Sequence, residues 1–208
     1  MNIRVDSNNG IEVVRTDHEL IENRKIFIEG YIDYSTAVRF VKTLLMLNIR
    51  DNREFIDVVI DSPGAAEGDI RPGLMIYDAI WTCLAPVRMF CIGRAYGIAG
   101  VLFICGKGSR YIMPHAHVSF SESSVHLPEI TGAEKADAAQ SLENTRIICG
   151  LLKHHTDKSY NAVKKLIDSN KVLNADECLN KHLCDRIGGI DWLSYPIESE
   201  DADSLPFP

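Results

Sequence analysis

Serines and histidines crowd into one short stretch of this chain. Ser119, Ser121, Ser123 and Ser124 lie close to His115, His117 and His126, with Glu122 among them. A serine hydrolase needs an oxygen nucleophile, a base within hydrogen-bond reach and an acid that orients the base. The residue types are therefore present. The spacing is less favourable: on a strand, Ser119, Ser121 and His117 share one face. Side chains two residues apart there point in parallel, which seldom makes a nucleophile–base pair. Polar packing near a turn accounts for His115 and His117, and a relocated serine centre stays open as an alternative. His154 and His155 close a long helix, where a cation complements the helix dipole.

Three turns could frame a site. Ser62-Pro63-Gly64-Ala65, Gly93-Arg94-Ala95-Tyr96-Gly97 and the Pro114 turn each follow a strand reading. In open α/β sheets, loops at the carboxyl ends of strands build the site. A strand, tight turn and buried helix over 92–105 is the geometry that exposes a nucleophile beside a helix N-terminus. The residue at that point is Gly97, which has no side chain. No G-x-x-x-x-G-K-[ST] phosphate loop occurs, and Gly106-Lys107-Gly108 reads as a helix cap. Cys83, Cys91, Cys105, Cys149, Cys178 and Cys184 form no C-x-x-C pair and sit among apolar neighbours. They read as small buried hydrophobes in a reducing compartment. No metal site and no cofactor are expected.

The elements that would hold these turns follow from periodicity. Residues 1–24 read as a short hairpin around Asn8-Asn9-Gly10. Strands are expected over 25–30, 55–61, 87–92 (stopped at Gly93), 110–113, 118–121 and 185–190. Helices are expected over 35–47, 73–82, 96–105, 133–155, 159–168 and 175–181. The first of these helices is capped by Ser35 or Thr36, with Val38, Val41, Leu44, Leu45 and Leu47 as its apolar stripe. Residues 96–105 are apolar all round, hence a fully buried helix. Strands alternating with helices mean βαβ crossovers and a largely parallel sheet, an α/β fold in one main domain over 25–195. The acidic, proline-containing tail over 196–208 is expected to be disordered.

Composition excludes several classes. Of 208 residues, 22 are basic and 29 acidic, a formal net charge of −7. That argues against nucleic acid or anionic membrane as a partner held by overall charge. The longest apolar run, 98–105, is far short of the roughly 18 residues of a spanning helix. The N-terminus lacks a signal-peptide pattern, so a cytoplasmic location is expected.

Several motifs in order resemble ClpP, the serine peptidase subunit of ATP-dependent Clp proteases, whose fold is shared with crotonases. They are KIFIEG, SPG after a strand, IYDAI at Ile76–Ile80, CIGRA at Cys91–Ala95, GKGSRYIMP at Gly106–Pro114, LNADECL at Leu173–Leu179 and LCDRI. The resemblance runs from about Leu20 to Gly189. It implies a ClpP/crotonase-like repeated ββα head with a long protruding handle helix over about 133–155, roughly 34 Å long. It also implies heptameric rings stacked into a tetradecameric barrel, and docking of an AAA+ unfoldase.

The family's chemistry does not carry over residue for residue. In the family motif G-x-A-x-S-M the nucleophile falls on Gly97. The histidine of P-N-S-x-x-M-I-H-Q-P falls on Ser121, and the catalytic aspartate on Asn170. The oxyanion donors would be the backbone N–H groups of Ala65 and Ile98, beside a substrate-binding loop of Ser62, Pro63 and Gly64. About three extra residues, including Glu67 and Asp69, lie between this loop and Ile76. Glycine offers no nucleophile, and serine cannot replace imidazole as base. Asparagine cannot stabilise an imidazolium by charge, and two backbone donors alone give binding with only residual catalysis. The resemblance thus implies a catalytically inactive ring subunit, similar in logic to ClpR, with itself or an active ClpP as partner. An active endopeptidase with a relocated nucleophile and a crotonase-like acyl-CoA enzyme are the alternatives. Asp57 and Val59 stand where the family's unfoldase pocket has aromatics, and Tyr111 keeps one such position. An unpaired buried Asp57 would cost several kcal/mol, so weakened docking is expected.

Overall fold

The computed structural model describes residues 2–7, 10–121 and 134–188, with side chains described over 16–121 and 141–188. The acidic tail and the serine- and histidine-containing residues 122–126 lie outside these. Two antiparallel strands, β1 (Asn2–Ser7) and β2 (Gly10–Arg15), pair with Ser7 opposite Gly10. They lead into α1 (Thr16–Glu22), a helix that the sequence reading did not separate from the hairpin.

The main sheet is parallel throughout. Its strands are β3 (Lys25–Glu29), β4 (Ile56–Ser62), β5 (Val87–Ala95), β6 (Arg110–Ile112) and β8 (Arg186–Ile187), hydrogen-bonded in that order. The two-residue β7 (His117–Val118) pairs with the end of β5. Parallel neighbours need crossovers, and α2 (Tyr34–Arg50) and α3 (Arg71–Thr82) supply the first two. The others are α4 (Ile98–Ile104), α5 (Glu134–His155), α6 (Tyr160–Asp168) and α7 (Ala175–Asn180).

One face of the sheet carries the core. Ile26, Ile28, Ile56, Val58, Ile60, Val87, Met89, Cys91 and Ile112 pack under Phe40, Leu44, Ile76, Ile80, Ile148, Leu152, Val163 and Cys178 of the helices. All seven residues of α4 are buried, as a helix apolar all round requires. On the opposite face Val59, Phe90 and Tyr111 form a second, smaller cluster with Phe27 and Met113. The Phe90 and Tyr111 rings stack with centroids 4.7 Å apart.

Several local expectations are corrected. The cap of α2 is Asp33, whose carboxylate accepts from the Thr36 N–H at 2.7 Å, and not Ser35 or Thr36. Its buried stripe is Ala37, Phe40, Leu44 and Leu47; Leu45 is exposed. Strand β5 does not stop at Gly93 but runs on to Ala95. Gly93 is there because a Cβ would stand 2.7 Å from Asp61 Oδ1. The strand expected over 118–121 is reduced to the pair His117–Val118. Asp57 is buried but not unpaired. It accepts from Arg88 Nε at 2.7 Å and from Nη2 at 2.9 Å, with Lys25 Nζ 3.6 Å away.

Candidate functional site

The first wall of the site is the turn after β4. Ser62 is fully buried; its hydroxyl donates to the Gly30 carbonyl at 2.7 Å and accepts from the Gly64 N–H at 3.1 Å. Both bonds hold the turn, so Ser62 acts as a rivet. Gly64 has φ 106°, and a Cβ there would lie 2.8 Å from the Tyr96 carbonyl oxygen. Only glycine lets this turn close onto the end of β5.

The second wall is the β5–α4 turn. Tyr96 N–H donates to the Ser62 carbonyl at 3.1 Å, which locks the two turns together. Gly97 then takes φ 53° and ψ −123° as the residue preceding α4. A strand ending in a positive-φ residue at a helix N-terminus is the conformation of a nucleophile elbow. The backbone here resembles such an elbow, and the residue at its tip is glycine. Beyond it, α4 is pressed tightly into place. A Cβ at Gly73 would lie 2.3 Å from Ile98 Cγ1, and one at Gly100 would lie 2.5 Å from the Ser119 carbonyl oxygen.

The N–H groups of Ala65 and Ile98 donate to no acceptor among the described residues, although Ala65 and Ile98 are buried. Ala65 forms a parallel bridge with Ile32, made by its neighbours: Ile32 N–H to the Gly64 carbonyl and Ala66 N–H to the Ile32 carbonyl. That arrangement leaves the Ala65 N–H directed away from Ile32. Buried N–H groups without a protein acceptor are uncommon in folded proteins, which makes these two candidates for an outside acceptor.

Ser121 and Asn170 lie on segments that a single bridge pairs. Val118 and Leu173 form an antiparallel bridge with N–H···O distances of 2.9 and 2.8 Å. Ser121 lies three residues beyond Val118 and Asn170 three before Leu173, so the bridge aligns their segments. No hydrogen bond joins the two among the described residues. Asn170 is exposed, with φ 49° in the turn that ends α6. Ser119 Oγ and Ser121 Oγ lie 3.0 Å apart, and neither meets a histidine among the described residues. The Ser–His contact left open by strand alternation is therefore absent from the described residues; His117 is exposed.

The Ser62–Ala65 turn is followed by a 3-10 turn, Ala66–Gly68, in which Glu67 and Gly68 have φ 53° and 73°. The Gly68 carbonyl accepts from the buried Asn144 Nδ2 of α5 at 3.0 Å. This strut between the loop and the long helix was not legible from the sequence. Ile32, Tyr34, Glu67, Arg71, Pro72 and Met75 bound a cleft of about 570 Å³ next to it. The six cysteines offer no substitute nucleophile. All are free and buried. Burial pushes the thiols of Cys105, Cys178 and Cys184 up to about 12 and that of Cys91 higher, far from thiolate at neutral pH.

A parallel α/β sheet with a positive-φ turn between β5 and α4 is the architecture on which the comparisons with known proteins bear. The profile of the Clp protease family matches residues 8–191. The ATP-dependent Clp protease proteolytic subunit 1 of Rhodopirellula baltica is 30% identical over 185 residues, covering 88% of this chain and 78% of the relative. That of Protochlamydia amoebophila is 29% identical over 181 residues, 83% and 84% of the two chains. The ATP-dependent Clp protease proteolytic subunit of Carsonella ruddii is 26% identical over 176 residues, 84% and 89% of the two chains. The chain belongs to the Clp protease family. No helix of the described residues is long and apolar enough to cross a membrane.

Proposed function

We propose that this chain is a catalytically silent Clp-type ring subunit, a ClpR-like pseudo-peptidase with a structural or regulatory role. The observation that carries the reading is Gly97: the elbow backbone is kept and the nucleophile is missing. Ser121 and Asn170, at the positions of base and acid, supply neither a proton acceptor near neutral pH nor a charge to steady one. The Ala65 and Ile98 donors beside Ser62-Pro63-Gly64 still hold a peptide carbonyl, which is binding without turnover. The test is exposure of the folded chain to a fluorophosphonate and to fluorogenic peptides. No adduct and no cleavage are expected; a stoichiometric adduct on any serine overturns the reading. Among the described residues Ser119 and Ser121 bond to each other and not to a histidine, which does not favour the relocated-serine alternative; Ser123, Ser124 and His126 lie outside those residues. None of the site's described contacts favours an acyl-CoA substrate.

In this reading residues 1–24 are an axial hairpin, 25–195 form the ring-building domain, and α5 is the handle that stacks two rings in the cytoplasm. The partners are further copies of the chain or an active ClpP subunit. Native mass at physiological salt separates them. A self-sufficient barrel of fourteen subunits has a mass of about 325 kDa, fourteen times the chain mass. A monomer or small oligomer that grows only when an active ClpP is added means a mixed ring. Unfoldase docking is expected to be weakened, because the buried Asp57–Arg88 pair borders the apolar cluster of Phe27, Val59, Phe90, Tyr111 and Met113.

A further inference from the structure

The last turn of α5 ends on two adjacent histidines, and α3 engages both. Tyr77 Oη lies 2.7 Å from His155 Nε2, and the two rings meet edge-on with centroids 5.5 Å apart. Trp81, one turn further along α3, receives His155 and His154 edge-on at 5.1 and 5.3 Å. Lys107, in the loop after α4, donates to the Cys83 carbonyl and holds its ammonium 5.6 Å from the centre of the Trp81 ring. Tyr77 is buried and Trp81 exposed. A histidine present only to complement the helix end would stand in water. This one is half-buried, with the Tyr77 and Trp81 rings against it.

We propose that the Tyr77–Trp81–His155 contact is an acid-sensitive latch. It fastens the C-terminal turn of α5 to α3 while His155 is neutral and releases that turn when the imidazole takes up a proton. Burial sets the direction, and the charges around it act the same way. His154 on α5 itself and Arg110 on β6 both repel a cation at His155, and Lys107 stands over the same tryptophan. On α3, Asp78 acts on Tyr77 together with buried Cys105 of α4; burial comes first in pushing the phenol's pKa up, so it stays protonated. His155 forms no ion pair among the described residues. The carbonyls at the end of α5 favour a cation, but burial, then His154 and Arg110, outweigh them and hold the imidazole below its ordinary value.

The sign follows from that direction. An unlatched His155 binds its proton more readily than the latched one. The stability contributed by the contact is therefore present above about pH 6.5 and lost as pH falls through the latched value. Release frees only this end of the helix. Ile148, Cys149 and Leu152 stay in the core, and Asn144 stays bonded to Gly68.

Hydrogen exchange of the full chain tests the latch, read over residues 150–160 at about pH 7.5 and about pH 5.5 and corrected for intrinsic rates. A Trp192→Phe background leaves Trp81 as the one indole, and a neighbouring imidazolium quenches its emission. The wild type is expected to lose protection about tenfold in this segment on acidification, while β4 and β5 keep theirs. Trp81 emission should fall with a midpoint below about 6.5. His155→Gln should respond equally at both pH values, and Tyr77→Phe should show the low-protection state already near neutrality. Equal wild-type protection at the two pH values overturns the latch. So does an undiminished acid response in His155→Gln, and these two readings decide the matter even if Tyr77→Phe fails to fold.

Discussion

Gly97→Ser alone is expected to leave the chain inert, whereas Gly97→Ser with Ser121→His and Asn170→Asp is expected to make it react with a fluorophosphonate. Gly97 has φ 53° and ψ −123°, so a serine there has to hold a positive φ. A β-carbon in that conformation costs on the order of 1–3 kcal/mol, which a tightly packed α4 can sustain. An unassisted hydroxyl remains a poor nucleophile. A positioned general base contributes about 10²- to 10⁴-fold, and that is the expected margin of the triple variant over the single one. The Ala65 and Ile98 donors need no change. Labelling rate and fluorogenic-peptide turnover are to be compared on variants of equal native mass and circular dichroism. Equal labelling of single and triple variants would remove Ser121 and Asn170 from the site. A folded triple variant that stays unreactive would show that the Ser121 and Asn170 segments do not reach the elbow.

That position 97 offers no side chain was legible in the sequence, because glycine has none in any conformation. Its φ of 53° and ψ of −123° were not, since they leave no trace in residue type. Ser62 shows the converse: its type fits a substrate loop, but its hydroxyl is spent on Gly30 and Gly64. The Asn144–Gly68 strut spans residues on α5 and in the 3-10 turn after β4. Only tertiary packing brings those together, so no local pattern announces it.

The parallel sheet and its crossovers were legible because strand-length apolar runs alternate with helical stripes. The boundaries were less so, for physical reasons visible at particular residues. Four consecutive polar or aromatic residues, Asp33 to Thr36, could all open α2, and only the 2.7 Å bond from Thr36 selects Asp33. Gly93 resembles a strand terminator, yet the β4–β5 register shifts between Ile60 and Ser62. The glycine admits the Asp61 carboxylate at that irregularity and the strand continues.

Removing either member of the Asp57–Arg88 pair is expected to destabilise the chain by about 3–5 kcal/mol, while removing both costs far less. Sequence alone made Asp57 a lone buried carboxylate because Arg88 is on another strand. The parallel β4–β5 register sets the two directly opposite. Arg88 then reaches Asp57 with two nitrogens, and its guanidinium lies 4.8 Å from the Phe55 ring centre and 5.8 Å from that of Phe90. Asp57→Leu leaves a buried guanidinium without a carboxylate. Arg88→Met leaves a buried carboxylate with only Lys25, at 3.6 Å. For a domain of this size each loss corresponds to a fall in Tm of roughly 6–20 °C. In the double variant no charge of the pair remains to be solvated, and leucine and methionine extend the cluster of Val59, Phe90 and Tyr111. Its Tm should return to within a few degrees of the wild type, a coupling that a double-mutant cycle measures directly. Singles that cost under about 1 kcal/mol, the scale of an exposed ion pair, would mean that water reaches this face and screens the two charges.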